Sequence, residues 1–260
     1  MEAPDWTALI RQAGENAPKP LLAHEDAGRA AESASKPQKL LCDGGLDLYA
    51  VKFSNNEHGD GHALVAECVA GLLGTQLAAP VAEIALIEVT HEFLRMNPVE
   101  LKPGLAAQPG LHHGSKWINE CIGPAAPAHV DLNRKRFGAL EVLYTWMYCS
   151  GDQQFLYHQT SNLVYSVDHS PFLPAGPGGW TAELLDQSRG TVQKDPILGS
   201  LGLTPTDRQD ALTALAAISD SDVALAVATP PSEWGLDKDD RLALAEYLFQ
   251  RRELVLGVLG

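Results

Sequence analysis

The sequence predicts an α+β chain in two lobes, a small antiparallel sheet carrying one helix and then a mainly helical half. Three observations carry this. Residues 48–53 are a run of strand formers between Gly44-Gly45 and Ser54-Asn55-Asn56, and a helical pattern opens soon after, near Gly61. Residues 81–89 place apolar side chains at nearly every other position, as a strand does. Three further helical patterns, over 131–149, 206–218 and 239–259, fall in the second half. The expected organisation is a single domain over residues 1–260, with an N-lobe at 20–125 and a helical C-lobe at 126–260.

Composition bounds the function. The chain has 260 residues and a net charge of −14, with 45% hydrophobic and 20% charged residues. That is enough apolar material for a sizeable core. An acidic chain is a poor match for a non-specific binder of nucleic acid or anionic membrane, so neither is an expected partner. Nucleotide binding needs only a local cationic site. Cys42, Cys68, Cys121 and Cys149 lack metal-ligand spacing and are too sparse for a disulfide scaffold. The acidic N-terminus lacks the apolar stretch of a signal peptide, and no window approaches the ~18 apolar residues of a membrane span. The expected location is cytoplasmic.

Taken in order, residues 6–13 read as a short helix before a Pro-bearing linker. Leu21-Leu22 is compatible with a first strand, and the small, polar stretch 27–39 reads as a loop. Leu40-Leu41-Cys42, the turn Asp43-Gly44-Gly45 and residues 48–53 form a β-hairpin. In the helix from Gly61, Val65, Val69, Leu72 and Leu73 make one buried stripe. At about 100° per residue Glu67 points the other way, among Ala63, Ala70, Gly71 and Gly74. A carboxylate on such a small-residue face can approach another element closely. After the strand at 81–89, residues 91–110 read as mostly loop and 111–119 as a strand, and Pro124-Ala125-Ala126-Pro127 closes the first half.

The second half begins with the helix at 131–149, which carries Phe137, Leu140, Leu143, Tyr144 and Met147 on one face and stops at Ser150-Gly151. Residues 153–159 and 163–169 flank the polar turn Thr160-Ser161-Asn162 and form a hairpin. Asp152 enters this hairpin and Asp168 leaves it, so the two aspartates are expected to be close in space. Residues 170–205 are rich in Pro and Gly and irregular apart from 181–187, and the last two helices follow.

A strand lysine followed by a helix glutamate is how kinase-like folds build a nucleotide clamp, and Lys52 and Glu67 stand in that order. The plainer reading of the pair is a snorkelling lysine and a solvated glutamate. Phosphoryl transfer also needs carboxylates to hold Mg²⁺ and to orient the nucleophile, which Asp152 and Asp168 supply. Other patterns lead nowhere. His112-His113 on a strand face opposite ways and suit a structural role better than a metal site. His58 and His62 read as solvated histidines near a phosphate site, and Cys149 as a buried helix-end residue. No GxSxG, P-loop or CxxC is present.

Five stretches together carry a resemblance: DGGLDLYAVKF with ALVAECVAGLLGTQL, then PGLHHGSKW, the helix ending in Ser150-Gly151-Asp152, YSVDH, and TPPSEW before a helix with Arg251-Arg252. The chain resembles the HipA-like kinases, in particular their compact single-chain branch. The resemblance implies a bilobal protein-kinase-like fold binding ATP and Mg²⁺ between the lobes. It gives Lys52 the phosphate, Glu67 the anchoring of Lys52, Asp152 the catalytic role and Asp168 the metal. His169 and Ser170 stand where kinases carry Phe and Gly. Better-studied relatives phosphorylate serine or threonine on proteins, and some are toxins paired with an antitoxin. Two departures stand out. Position 157, five after Asp152, is tyrosine where kinases place asparagine, leaving Gln154 ahead of Gln153 as a substitute amide ligand, and Asn162 is assigned to the far turn. The stretch before the hairpin, with Ser33, Ser35 and Lys36, is not glycine-rich. The phosphotransferase therefore has two rivals, a catalytically impaired pseudokinase acting as a binding module and a kinase for a small molecule. The phosphoacceptor stays open.

Overall fold

The computed structural model describes residues 4–30, 36–43, 47–56, 61–149, 153–176 and 179–260. Helix α1 (Trp6–Glu15) starts where the Asp5 carboxylate accepts from Ala8 N. Strands β1 (Leu21–Arg29), β2 (Gln38–Cys42) and β3 (Leu48–Lys52) follow, then helix α2 (Gly61–Gln76) and strand β4 (Ile84–Val89). Helix α3 (His91–Met96) and the short strands β5 (Glu100–Lys102) and β6 (Leu105–Ala106) lead into β7 (Gly110–Lys116).

The expected β2–β3 hairpin is present, with Leu40 opposite Tyr49, and β7 pairs antiparallel with both β3 and β4. The expectation of an antiparallel sheet needs correction at one seam. Leu21 and Leu22 of β1 pair in parallel with Ile87 and Glu88 of β4, so the sheet closes into a barrel in the order β1-β2-β3-β7-β4. Strand twist brings the two edges together, and closure satisfies main-chain groups that an edge would leave unpaired. Leu40, Val51, Phe53, Ile87, Val89 and Phe93 belong to the core of this part.

Two stretches expected as loops contain ordered elements. The first, 27–39, holds the end of β1 and the start of β2, with Arg29 opposite Gln38, and its residues 31–35 lie outside the described residues. Its polar side chains satisfy one another, since Asp26 Oδ1 accepts from Gly28 N at 2.7 Å and from Gln38 Nε2 at 2.8 Å. Within 91–110, Thr90 Oγ1 caps α3 by accepting from Phe93 N at 3.1 Å, and Phe93 anchors the helix in the barrel core.

Helix α2 is not the one-striped helix of the sequence reading. Residues 64–71, 73 and 74 are all buried, Glu67 among them. Its small face does permit close approach. A Cβ on Gly71 would lie 2.3 Å from Ile84 Cγ2, and one on Gly74 would lie 3.0 Å from Leu143 Cδ2.

Strand β8 (Cys121–Ala125) precedes helix α4 (Val130–Met147), and the hairpin of β9 (Gln154–His158) and β10 (Val164–Val167) forms as expected. It is the core of a three-stranded sheet ordered β10-β9-β8, so residues 121–125 pair across the 125/126 boundary of the sequence reading. The chain continues through β11 (Ala175–Gly176), β12 (Gly179–Trp180), α5 (Ala182–Ser188), α6 (Pro196–Gly199), α7 (Pro205–Ala217), α8 (Asp220–Ala228), a 3-10 turn (Ser232–Trp234) and α9 (Lys238–Leu259). Helix α8 was missed. Ser219 and Asp222 form its capping box, a signature readable as S-x-x-D.

A second, larger core joins α2, α4, α7, α8 and α9. Arg251 crosses it with no exposed surface. Its guanidinium donates to Trp146 O at 2.8 Å, Thr191 O at 2.6 Å, Ser188 O at 3.2 Å and Thr145 O, tying α9 to the end of α4.

Candidate active site

Three elements meet at one amine. Lys52 ends β3 opposite His113 of β7. Glu67 reaches it from α2. Asp168 follows the last residue of β10 with φ at 63°, a left-handed conformation that aspartate tolerates better than most residues. Lys52 Nζ donates to Glu67 Oε1 and, at 2.7 Å, to Asp168 Oδ1. Ser170 Oγ donates to the same Asp168 oxygen at 2.8 Å. The side chains of Lys52 and Glu67 are 12% and 3% exposed, while that of Asp168 is 31% exposed. The plainer reading of a snorkelling lysine and a solvated glutamate therefore fails, since both are buried and paired.

The electrostatics follow from burial and charge. Burial opposes the charged form of Lys52, yet Glu67 and Asp168 outweigh it and hold the amine above its ordinary value. Burial pushes Glu67 up to about 7, with Lys52 pulling down and Asp168 pushing up. Burial also opposes the Asp168 carboxylate, but attraction to Lys52 and the bonds from Lys52 and Ser170 leave it below its ordinary value. One cation thus serves two carboxylates, one closed in and one partly open.

Two histidines border this cluster, both neutral. Burial pushes His113 down to about 3, helped by Lys52 and His169, and His169 down to about 4. His113 Nε2 lies 3.4 Å from Glu67 Oε2 and 3.1 Å from Ser115 Oγ. His169 Nε2 meets Ser166 Oγ at 2.9 Å, and Ser166 Oγ meets Tyr144 OH at 2.6 Å. The His169 ring packs on Phe172, whose own ring meets Tyr144 edge-on. The residue after Asp168 is therefore held inward by a polar chain on one side and rings on the other.

Of the sequence-predicted site residues, Lys52, Glu67 and Asp168 come together. Asp152 lies outside the described residues. Gln154 opens β9 opposite Val167, and its side chain lies outside the described part. Gln153 is buried, and its amide has no hydrogen-bond partner. Tyr157 OH accepts from Ala128 N at 2.6 Å, so that side chain serves packing. His112 and His113 do face opposite ways. His112 Nδ1 accepts from Ser54 N at 3.1 Å on the barrel side, while His113 faces Glu67. His62 corrects the expectation of a solvated ring, because it stacks on Trp180. His58 lies outside the described residues. His113 was missed as a neighbour of the site, although antiparallel pairing of the strand at 111–119 with Lys52 could have found it.

The fold resembles a kinase fold. A crystal structure of the proinflammatory kinase CtkA from Helicobacter pylori matches with a TM-score of 0.56 at 12% identity, covering 90% of this chain and 94% of that one. No family model matches the chain, and no curated protein matches it significantly. The likeness speaks for a kinase-like fold and not for one kinase family, the HipA-like one included. Among the described residues no single helix is long and apolar enough to cross a membrane.

A divalent ion fits what is present. Asp168 offers a hard oxygen donor partly open to solvent, and Mg²⁺ keeps most of its waters and asks for only one or two carboxylates. Among the described residues no group of three or more His, Cys, Asp or Glu side chains forms a ready cage.

Proposed function

We propose that this protein is an ATP- and Mg²⁺-dependent phosphotransferase of HipA-like type acting on a hydroxyl group. The observation that carries the reading is the amine of Lys52 bridging a buried Glu67 and a partly open Asp168. Glu67 holds the amine in place, and Lys52 meets nucleotide phosphates. Asp168 would hold Mg²⁺, which offsets the negative charge of the phosphates when bound. Asp152 takes the proton of the acceptor hydroxyl as its oxygen bonds to the γ-phosphorus, and the bond from that phosphorus to the β-phosphate oxygen breaks to leave ADP. A two-lobed domain divided near residue 125 belongs to this reading; the barrel has a buried cluster of its own, while α2 packs into the cluster of the helical half.

One observation favours a second reading, a nucleotide-binding pseudokinase. Tyr157 is committed to packing at the position five after Asp152, so no metal-binding amide stands there. Thermal melts with ATP and Mg²⁺ come first. A ligand at 100 times its dissociation constant adds about 2.7 kcal/mol of stability. In a chain of this size that is a rise of roughly 5–10 °C. A Mg²⁺-dependent rise in wild type that Asp168→Ala abolishes supports the site, and no rise at millimolar ATP removes both readings. A rise without turnover on any acceptor favours the pseudokinase.

A further inference from the structure

The first turn of α2 is held from two sides by residues that the reading above does not use. On one side, Gly61 meets the 3-10 turn so closely that a Cβ there would lie 1.6 Å from Trp234 O. That turn is itself fixed to β7, because Trp234 Nε1 donates to Leu111 O at 2.9 Å and Glu233 Oε1 accepts from Leu111 N at 3.0 Å. On the other side stands Trp180, which is 1% exposed. Its Nε1 donates to His62 O at 3.0 Å, and its carbonyl oxygen lies 2.9 Å from His62 Nδ1. The two rings stack with centroids 4.8 Å apart and planes 25° apart. Gly179, at φ +90°, brings the strand in, and a Cβ there would lie 3.2 Å from His62 Cβ.

Trp180 comes 12 residues after Asp168, in the segment that leaves the site, and His62 comes five residues before Glu67 on the helix that enters it. We propose that Trp180 is a positioning residue: through His62 it fixes the first turn of α2 and so holds Glu67 against Lys52. The contact consists of two rings and two main-chain carbonyls. The consequence for nucleotide rests on the phosphotransferase reading, whereas the mechanical link does not.

The test compares His62→Ala, His62→Asn and Trp180→Phe with wild type by hydrogen exchange and by acylation of the Lys52 amine. His62→Ala removes the stack and the bond to Trp180 O, and exchange at amides 65–69 and Lys52 labelling are both expected to rise roughly tenfold, the scale of one hydrogen bond plus one ring contact. His62→Asn keeps a side-chain N–H for Trp180 O and recovers much of the loss. Trp180→Phe keeps a smaller ring for the stack but loses the Nε1 bond and part of the buried volume, and its expected rise at 65–69 carries the test should His62→Ala fail to fold. Unchanged exchange at 65–69, or a rise equal to that in α9, overturns the proposal, as does Lys52 labelling that ignores His62→Ala. Absence of ATP binding in wild type would remove the phosphotransferase reading and leave the exchange comparison decisive for the link.

Discussion

Lys52 Nζ lies 2.7 Å from Asp168 Oδ1 and joins residues 116 positions apart in the chain. The pair ties the end of β3 to the end of β10, and Asp168 is one of the two carboxylates that keep the amine charged. Asp168→Asn removes that charge while keeping the shape. The Lys52 pKa is then expected to fall, read as the pH dependence of its labelling. An unchanged titration would show that Glu67 alone holds the proton.

Glu67 makes stability depend on pH in a defined direction. Its carboxyl rises from 4.5 to about 7 in the folded chain. A raised carboxyl contributes stability that is complete below the unfolded value and is lost as pH climbs through the folded one. Lys52→Met removes the cation that pulls Glu67 down, so the loss should extend above about pH 7 in that variant. Melts across this range check it, and Glu67→Gln in the same background should flatten the slope.

The chain from Tyr144 through Ser166 to His169 is buried, so its members are unequal. Tyr144→Phe removes one bond and leaves Ser166 to His169, at an expected cost of about 1 kcal/mol. Ser166→Ala strands both neighbours and should cost about 2–4 kcal/mol. Urea unfolding of the two single variants and the double variant measures this, and the double should fall short of the sum.

Arg251 has carbonyl oxygens for partners, and Tyr148 and Tyr247 lie under its guanidinium at 5.3 Å. Lysine cannot reach four carbonyls from one ammonium, so Arg251→Lys is expected to cost about 3 kcal/mol or more. Denaturant midpoints test this, and a loss below about 1 kcal/mol would mean that the carbonyls find other donors.

Local signals made much of this molecule legible. The strand run ending at Lys52, the break after it and the helical pattern around Glu67 are written in consecutive residues, and so is the hairpin that delivers Asp168. What escaped depends on distant pairs. Nothing near Leu21 announces its parallel partner Ile87, and nothing near His62 announces Trp180, 118 positions away. The ends of the polar run at 27–39 escaped as strand because Gln38 is satisfied by Asp26 on the paired strand, which composition does not reveal. Helix α8 is a different failure, since its cap at Ser219 and Asp222 was present in the sequence and went unused.

The parallel contact at Leu21 and Leu22 has a further effect on association. The seam consists of two residue pairs, Leu21 with Ile87 and Leu22 with Glu88, so it closes the barrel over the start of β1 and a short part of β4. A second copy that exchanged its first strand would have to break that seam. At those two pairs the main chain is already taken, so anything that docks over the seam without breaking it meets side chains and not a free strand edge.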